Sequence, residues 1–251
     1  MDDLLVILAS VTVVSLISFV GILFVGLKTA FINRILMALV GFASGSMIGA
    51  VFFNLLPEAL TGIDESGTVF LLQLVVIGIV FFFVMEKFLY WRHCHDEKCQ
   101  VHSFAYLNLM GDGVHNFVDG MAIAAAFFVS YPLGFATTLA VVFHEIPQEL
   151  GDFGVLIYGG FEKKKALTYN FISALSAVAG AMAVYWLDIY VHGFERFLIP
   201  FAAGGFIYVA ATDLMPQLHK ETHAKESLVQ LFSLLAGIGL MLVLAVLLPN
   251  A

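Results

Sequence analysis

Eight apolar stretches, each long enough to cross a lipid bilayer, constrain this chain more than any other feature of its sequence. A membrane-spanning helix needs about 20 predominantly apolar residues. The stretches fall at residues 4–25, 35–57, 68–90, 104–129, 133–157, 166–187, 197–218 and 227–248. They are continuous rather than alternating, which is typical of helices and not of β-barrel strands. We therefore predict an all-α integral membrane protein with eight transmembrane helices, numbered one to eight in chain order, in a single domain spanning residues 1–251.

The composition supports a membrane protein over a soluble one. Hydrophobic residues make up 61% of the chain and charged residues 12%, whereas soluble domains average about 45–50% apolar and about 25% charged residues. Asp2 and Asp3 stand where a signal peptide would carry Lys or Arg. We therefore expect the first stretch to remain in the protein as helix one.

The basic residues lie almost entirely on one side of the predicted bundle. Ten of the eleven Lys and Arg residues fall in the first, third, fifth and seventh breaks between helices, and only Arg196 lies on the other side. Cytoplasmic loops of membrane proteins carry an excess of Lys and Arg. We therefore predict that these four loops are cytoplasmic and that both termini lie outside.

Two segments of the chain resemble each other. Residues 42–58 align without gaps with residues 201–217, and both end in the pattern Asn/Asp-Leu-Leu/Met-Pro-Glu/Gln. They belong to helices two and seven, which are predicted to run in opposite directions, and inverted repeats of this kind are common in transporters. We predict an inverted repeat of helices one to three and six to eight around a central hairpin of helices four and five. Chance similarity between two Gly- and Ala-rich helices is the alternative.

Helices four and five carry polar side chains in the middle of otherwise apolar spans. These residues are Asp112, His115, Asn116 and Asp119 in helix four, and His144, Glu145, Gln148, Glu149 and Asp152 in helix five. An ionised side chain at the bilayer centre costs about 2.5–3.5 kcal/mol even on a lenient scale. No span core contains a Lys or Arg that would compensate the five carboxylates. A bound metal ion would supply the missing positive charge.

The spacing brings these side chains together. His115 and Asp119 are four residues apart, as are His144 and Gln148, so each pair shares one helix face. The short link at residues 130–132 makes the two helices an antiparallel hairpin, and the polar residues lie at equal distances from it. We therefore expect both sets at one depth, near the midplane.

The donor types limit the ion. Imidazole nitrogen together with carboxylate and amide oxygen suits zinc, iron(II) or manganese(II), and the lack of Cys in the spans argues against copper(I). A single polar residue in a helix usually serves packing or hydrogen bonding. Nine of them at one depth on adjacent helices favour a metal site.

Two segments resemble the paired signature motifs of the ZIP (Zrt/Irt-like protein) metal transporters, namely GDGVHNFVDGMAIAAAF in helix four and HEIPQELGDFGVL in helix five. NLLPEAL, NFISALSAVAGA and GGFIYVAATDLMPQL also resemble family segments, so the resemblance extends over most of the chain. It implies a homodimeric importer of divalent metals with eight helices, both termini outside and a binuclear site at the midplane.

The resemblance also implies metal ligands at matching positions. They are His115, Asn116 and Asp119 in helix four; His144, Glu145, Gln148 and Glu149 in helix five; and Met47 in helix two, with Asp119 as the bridging carboxylate. Many relatives have His at the positions of Gln148 and Asn54, and some have Glu in helix six, where this chain has none. These departures affect the second metal position, where a neutral ligand binds more weakly.

Polar residues beyond the predicted ligands suggest a path for the ion. Asp112 and Asp152 belong to the midplane set, Asn54 and Glu58 lie at the outer end of helix two, and Asp213 lies at the inner end of helix seven. Residues at helix ends often look like this without a transport role, so both interpretations stay open.

The third loop gathers His and Cys residues in WRHCHDEKCQVHS, residues 91–103. The candidate ligands are His93, Cys94, His95, Cys99 and His102. Because His and Cys at such spacings bind zinc, we predict a cytoplasmic loop that captures or senses metal leaving the pore. A solvated loop with incidental histidines is the alternative.

Helix two has glycine at every fourth position, at Gly41, Gly45 and Gly49. Such glycines let helices approach closely, and static packing is one interpretation. The family resemblance favours another, in which the glycines form a smooth surface along which helices one, four, five and six slide as a body in an elevator-like motion.

We predict uptake of Zn²⁺ into the cytoplasm, with Fe²⁺, Mn²⁺ and Cd²⁺ as further candidate substrates. The sequence contains no P-loop, so we expect neither a nucleotide nor a nucleic-acid partner. An intramembrane zinc metallohydrolase is one alternative, because HEIPQ resembles the His-Glu-x-x-His motif. Gln148 replaces the second His, and Pro147 predicts a break in helix five, which argue against it. A metal sensor without transport is the other alternative.

Overall fold

A computed structural model describes residues 2–21, 29–91, 101–191, 193–220 and 222–247. Within those ranges the regular structure is helical throughout. The helices are α1, Asp2–Leu16, followed by a 3₁₀ turn at Ile17–Phe19; α2, Thr29–Gly49, continued by a π-helix at Ala50–Leu55 and an α-helix at Leu56–Leu60; α3, Glu65–Trp91; α4, Val101–Val129; α5, Tyr131–Tyr158; α6, Lys163–Ala174 and Ser176–Tyr190; α7, Glu195–Val209, continued by a π-helix at Ala210–Leu214 and an α-helix at Met215–Leu218; and α8, Ala224–Leu247.

Each predicted apolar stretch contains one of these helices, with ends that differ by a few residues. Among the described residues, five helices are long and apolar enough to cross a membrane, namely α2, α3, α6, α7 and α8. The apolar part of α1 is shorter, Asp3–Phe19. Helices α4 and α5 have 29 and 28 residues, which at about 1.5 Å per residue exceeds a hydrocarbon core of about 30 Å. The buried polar residues of α4 and α5 make these two helices less apolar than the other five. The described helices together have the architecture of a helical membrane protein.

The helices pack as two bundles. Helices α1, α4, α5 and α6 form the site bundle, and α2, α3, α7 and α8 form the flanking bundle. The two bundles meet where α2 packs on α5 and where α7 packs on α4. Side chains make this boundary, and the rings of Phe42 and Phe143 meet edge to face across it with their centroids 4.7 Å apart.

Glycine lets the backbones approach inside each bundle. In the site bundle, a Cβ atom at Gly180 would lie 1.9 Å from the carbonyl oxygen of Phe117. In the flanking bundle, a Cβ atom at Gly204 would lie 2.1 Å from the carbonyl oxygen of Val75. Throughout the described part of the chain, every close approach of a glycine to another helix joins two helices of the same bundle. These glycines therefore hold the helices of each bundle together through close backbone contacts. None of them makes such a contact across the boundary between the bundles.

The glycines of α2 face α8. A Cβ atom at Gly45 would lie 2.0 Å from the carbonyl oxygen of Leu234, and one at Gly41 would lie 2.8 Å from that of Gln230. The prediction that these glycines form a sliding surface against the site bundle is therefore wrong. They bring two helices of the flanking bundle into backbone contact, which is static packing.

Helices α2 and α7 change their helical form at matching places. The π-helix of α2 covers Ala50–Leu55 and that of α7 covers Ala210–Leu214, and the two overlap when residues 42–58 are aligned with 201–217. Each is followed at once by a proline in the first turn of the next α-helix, Pro57 or Pro216. Since proline has no N–H, the hydrogen-bond ladder shifts register just before it.

Helix α5 contains Pro147 and nevertheless runs as one α-helix from Tyr131 to Tyr158. The predicted break is therefore wrong. Proline removes one hydrogen bond from the ladder, and the packing of a long helix between α2, α4 and α6 keeps the backbone helical across that gap.

Candidate metal centre

Helices α4 and α5 form an antiparallel hairpin whose link is the single residue Ser130. The Ser130 side chain accepts a hydrogen bond from the backbone N–H of Leu133 at 3.3 Å and so caps the first turn of α5. Pro132 lies in that first turn, where an N–H would have no helical partner. This abrupt turn holds the polar segments of the two helices side by side.

Four of the predicted side chains converge in the interior, and we call His115, Asp119, His144 and Glu145 the main cluster. The Nε2 atoms of the two histidines lie 3.2 Å apart. Asp119 Oδ2 lies 3.0 Å from the Nε2 of His144 and 3.4 Å from that of His115. Glu145 Oε1 lies 3.5 and 3.6 Å from the same two nitrogens. Four donors at about 2.0–2.1 Å from a tetrahedral zinc ion are about 3.3 Å apart, and these separations match that spacing.

His144 is oriented from behind by the backbone of its own helix. Its Nδ1 lies 3.0 Å from the carbonyl oxygen of Ala140. Because a carbonyl can only accept, Nδ1 carries a proton, and Nε2 is the ring nitrogen directed at the cluster. Aromatic rings of the flanking bundle pack on both histidines, with Phe206 centred 5.7 Å from His144 and Phe82 centred 6.0 Å from His115. The main cluster therefore lies at the boundary between the two bundles.

A second cluster of three carboxylates adjoins the first and consists of Asp112, Glu145 and Glu149. Glu145 belongs to both clusters, whereas Asp119 belongs only to the main one. Glu145 therefore reaches both clusters, and the bridging role of Asp119 stays a prediction.

Several buried oxygen atoms around the two clusters accept no hydrogen bond from the described part of the chain. They are Oδ2 of Asp112, Oδ1 of Asn116, Oδ1 of Asp119, both carboxylate oxygens of Glu145 and Oε1 of Glu149. A buried polar atom without a partner costs about 1–3 kcal/mol, and more when it is charged. These atoms are all acceptors, so a cation satisfies several of them at once and a further acceptor satisfies none.

A cavity of about 570 Å³ leads to the clusters from one end of the bundle. Its walls come from the first half of α2 and of α4 and from the second half of α3, α5 and α7, towards the end that carries the first, third, fifth and seventh loops. The cavity reaches Asp112 and His115, and His115 is 12% exposed whereas the other main-cluster side chains are at most 1% exposed. On the other side of the cluster, α4 is buried and apolar from Ala122 to Phe127. Within the described part of the chain, the cavity reaches the site from this one end.

The other predicted residues divide into those near the clusters and those apart from them. Asn116 Nδ2 donates to Asp112 Oδ1 at 2.9 Å, and Gln148 Nε2 lies 3.4 Å from the same atom. Met47 is fully buried in the apolar core, and its role as a ligand stays a prediction.

The predicted pathway residues lie at different points along the bundle. Asp152 and Asp213 both line the cavity, and Asp213 accepts a hydrogen bond from the Thr212 hydroxyl at 3.0 Å. Asn54 is buried in the π-helix of α2, and its Oδ1 has no partner among the described residues. Glu58 is partly buried in the helix that follows.

The predicted loop site lies almost entirely outside the described residues. His93, Cys94, His95 and Cys99 fall in the range 92–100, for which nothing is described, and His102 contributes only its place in the first turn of α4.

Four polar residues that line or support the site were missed by sequence reasoning. Asn108 Nδ2 donates to Asp152 Oδ1 at 2.7 Å, and Asn170 Nδ2 donates to Glu149 Oε2. Tyr208 donates its hydroxyl to Glu86 Oε2 on the cavity wall. Asn108 lies one helical turn before Asp112, which was a signal available in the sequence. Asn170 lies in the polar first part of α6, KKKALTYNFISA, where a further amide gives no signal.

A buried imidazole and carboxylate cluster within a bundle of apolar helices defines an integral membrane protein with a candidate metal-binding centre. A family model described as ZIP Zinc transporter matches residues 3–103 and 92–245. The chain belongs to the ZIP zinc transporter family.

Curated relatives agree with this assignment. The zinc transporter ZIP10 of Danio rerio is 40% identical over 151 residues, which cover 57% of this chain and 18% of the relative. Zinc transporter ZIP13 of Danio rerio is 39% identical over 150 residues, 59% of this chain and 43% of the relative. Zinc transporter ZIP13 of Pongo abelii is 36% identical over 219 residues, 82% of this chain and 66% of the relative. The chain thus matches less than two thirds of the length of each of these relatives, and all of their names describe transporters rather than enzymes.

Proposed function

We propose that this protein carries divalent transition-metal ions, Zn²⁺ first among them, across the membrane into the cytoplasm through the main cluster. Fe²⁺, Mn²⁺ and Cd²⁺ remain candidate substrates, because imidazole and carboxylate donors accept all four ions. The single observation that carries the proposal is the convergence of two imidazole nitrogens and two carboxylates, at the spacing of tetrahedral zinc ligands, inside an apolar bundle.

Charge and access together support transport towards the cytoplasm. Excess Lys and Arg in the first, third, fifth and seventh loops assigns them to the cytoplasm and both termini to the outside. The cavity opens at the same end. The molecule is therefore in an inward-facing state, from which an ion at the main cluster leaves into the cytoplasm.

A second ion fits beside the first. The second cluster supplies three carboxylates and shares Glu145 with the main cluster. Two cations bridged by this carboxylate would offset the concentration of negative charge at Asp112, Asp119, Glu145 and Glu149. We therefore propose a binuclear site.

The two bundles suggest how access alternates. Eight spans with an inverted repeat of helices one to three and six to eight agree with the matching π-helices of α2 and α7. Such a repeat matches α2 with α7 and α3 with α8. The packing of α2 on α8 and the packing of α7 on α3 are then equivalent contacts, and both are present. The site bundle would move as one body against the flanking bundle, in an elevator-like motion, because backbone contacts hold each bundle and side chains form the boundary. We further propose that the protein acts as a homodimer, as the resemblance to the family implies.

The main cluster also argues against a metallohydrolase. A catalytic zinc ion needs three firm ligands and an open position for water, whereas four protein donors here fill a tetrahedral set. Gln148, which stands where the hydrolase motif has its second His, points its amide towards Asp112. Transport satisfies both observations, because a carried ion exchanges its whole hydration shell for protein ligands.

Radioactive zinc uptake into vesicles that contain the purified protein tests the proposal. We expect uptake by the wild type and a loss of at least about tenfold in His144→Ala, since removing even a supporting contact of a metal ligand costs 10–100-fold. Thr138→Val is the matched control on the same helix, because its hydroxyl donates to the Gly134 carbonyl away from the cluster. Absence of uptake by the wild type would refute transport, and equal uptake by His144→Ala would refute the site. A metal sensor or a hydrolase gives no uptake in either.

A further inference from the structure

Three aromatic rings meet on the outside of the site bundle, at the end that carries the third and fifth loops. Tyr106 comes from α4, Phe161 from the link between α5 and α6, and Tyr169 from α6. The ring centroids of Phe161 lie 5.1 Å from Tyr106 and 5.5 Å from Tyr169, and those of the two tyrosines lie 6.2 Å apart. Tyr106 is 50% exposed and Tyr169 is 36% exposed. The rings therefore form one group at the surface.

Three consecutive lysines lie beside this group. Lys163, Lys164 and Lys165 form the first turn of α6, and all three are exposed. None of their ammonium groups is paired with a carboxylate in the described part of the chain. Glu162, just before them, offsets one charge and leaves the segment net positive. We call the three rings and the three lysines together the basic aromatic surface.

The outward face of α6 changes from charged to aromatic to aliphatic within two turns. Lys165, Tyr169 and Ile172 are spaced by four and three residues, so they share one face, and Ile172 is 56% exposed. A lysine whose charge reaches water, then a tyrosine, then an aliphatic residue is the order found where a helix enters a bilayer. The rings of the basic aromatic surface therefore match the edge of the hydrocarbon, and its lysines match the headgroup layer.

We propose that the basic aromatic surface binds the headgroup of an anionic phospholipid in the cytoplasmic leaflet. Lysines next to a membrane-spanning helix attract anionic lipids, and here three of them lie side by side. A zwitterionic headgroup carries the same phosphate without a net charge, so the lysines favour the anionic lipid over it. A soluble phosphate ion would meet the lysines and leave the exposed rings uncovered, whereas a lipid contacts both parts of the surface.

The surface belongs to the site bundle, so the bound lipid bears on the elevator-like motion, and this consequence rests on the proposed function. Movement of the site bundle towards the outside would draw the three lysines from the headgroups towards the hydrocarbon, where a charge is costly. The inward-facing state keeps them among the headgroups. A ligand that binds one of two states better shifts the population towards that state. Anionic lipid therefore stabilises the inward-facing state.

Fluorescence quenching by lipids with brominated acyl chains tests the binding. Tyr169→Trp places a reporter on the surface after Trp91 and Trp186, the two native tryptophans, are replaced by Phe. In mixed vesicles we expect phosphatidylglycerol to occupy the site about fivefold or more in preference to phosphatidylcholine, because one lysine at an anionic surface contributes roughly that factor. Replacing residues 163–165 with Gln is expected to remove the preference, and salt at about 1 M to weaken it.

Two control variants separate this surface from the rest of the protein. Tyr190→Trp moves the reporter to the other end of α6, where Tyr190 is 79% exposed and the nearby Asp188 is acidic, and should show no preference for phosphatidylglycerol. Lys220→Gln removes a lysine of the flanking bundle, whose Nζ donates to Gln217 Oε1 at 2.6 Å, and should leave the preference at the Tyr169→Trp reporter unchanged.

Equal quenching by the two lipids at the Tyr169→Trp reporter, or a preference that survives the loss of the three lysines, would overturn the proposal. Displacement of phosphatidylglycerol by inorganic phosphate at constant ionic strength would also overturn it, because the surface would then be a site for a soluble anion.

Val155→Cys measures the effect on conformation, because Val155 lines the cavity. In nanodiscs, with Cys94 and Cys99 replaced by Ser, a water-soluble thiol reagent should label this cysteine at least about twofold faster in phosphatidylglycerol than in phosphatidylcholine. The variant without the three lysines should show equal rates. Equal rates with the lysines present would overturn the stabilisation of the inward-facing state. Neither measurement uses zinc, so the lipid site is tested apart from transport.

Discussion

The backbones of α4 and α6 meet at Gly120 and Ala177, where a Cβ atom on Gly120 would lie 1.8 Å from the Ala177 carbonyl oxygen. No side chain fits there unless the two helices separate. The contact lies one residue beyond Asp119, so the position of a main-cluster ligand depends on how closely these helices pack.

We expect Gly120→Ala to destabilise the protein by about 1–3 kcal/mol, the usual cost of overpacking a core, and to lower zinc affinity because Asp119 moves with α4. Gly154→Ala is the control, since nothing lies within 4 Å of a Cβ atom there and alanine is the better helix former. Thermal unfolding in detergent measures the stability of the two variants. Equal melting temperatures for the two variants would contradict the packing described here.

The boundary between the bundles makes a prediction about motion. A short thiol-specific crosslink between Phe42→Cys and Phe143→Cys would join the two bundles, after Cys94 and Cys99 have been replaced by Ser. We expect this crosslink to abolish zinc uptake, because the site bundle can no longer move against the flanking bundle. The same linker between Phe81→Cys and Phe201→Cys joins two helices of the flanking bundle, whose rings are centred 5.3 Å apart, and should leave uptake intact. Uptake that survives the first crosslink would exclude the elevator-like motion.

The sequence carries most of the fold and part of the site. The lengths of the apolar stretches predicted where the helices lie, because backbone groups in lipid must form hydrogen bonds within their own segment. The i, i+4 spacing within α4 and α5 located the main cluster, since two helices in a tight hairpin offer few alternative registers. The glycines of α2 show where this reasoning stops. Spacing reveals that a helix has a smooth face, but which neighbour covers that face depends on tertiary packing, and here it is α8.

The contribution of α6 was missed for a related reason. An amide in the polar first part of a helix does not stand out in a sequence, and only three-dimensional packing places Asn170 beside Glu149, 21 residues earlier in the chain. Spacing alone also does not reveal that Glu145 reaches both clusters and Asp119 only one, because this depends on where the two side chains lie in the packed bundle.

Gln148 provides a test of the proposed second metal position. Its Nε2 lies 3.4 Å from Asp112 Oδ1, so Gln148→His would bring an imidazole to the second cluster. We expect zinc to bind there about tenfold or more tightly and zinc uptake to slow, because release becomes the limiting step. Gln217→His, which adds a histidine elsewhere on the same cavity wall, is the control. An increase in uptake for Gln148→His alone would contradict tighter zinc binding at the second position.

The loop at residues 91–103 is tested separately from the centre. Replacing His93, Cys94, His95, Cys99 and His102 with Ser is expected to weaken the inhibition of uptake by cytoplasmic-side zinc, while the main cluster still binds zinc. The measurement is vesicle uptake with zinc preloaded inside. If both uptake and its inhibition are unchanged, the loop has no part in capturing or sensing metal.

The claim on which the account depends is that the transported ion binds among the donors of α4 and α5. The direct measurement is anomalous X-ray diffraction at the zinc edge from crystals grown with Zn²⁺. We predict a peak about 2.0–2.1 Å from both His115 Nε2 and His144 Nε2, with Asp119 and Glu145 completing the coordination. Zinc found only at the protein surface, with this cluster empty at saturating metal, would contradict it.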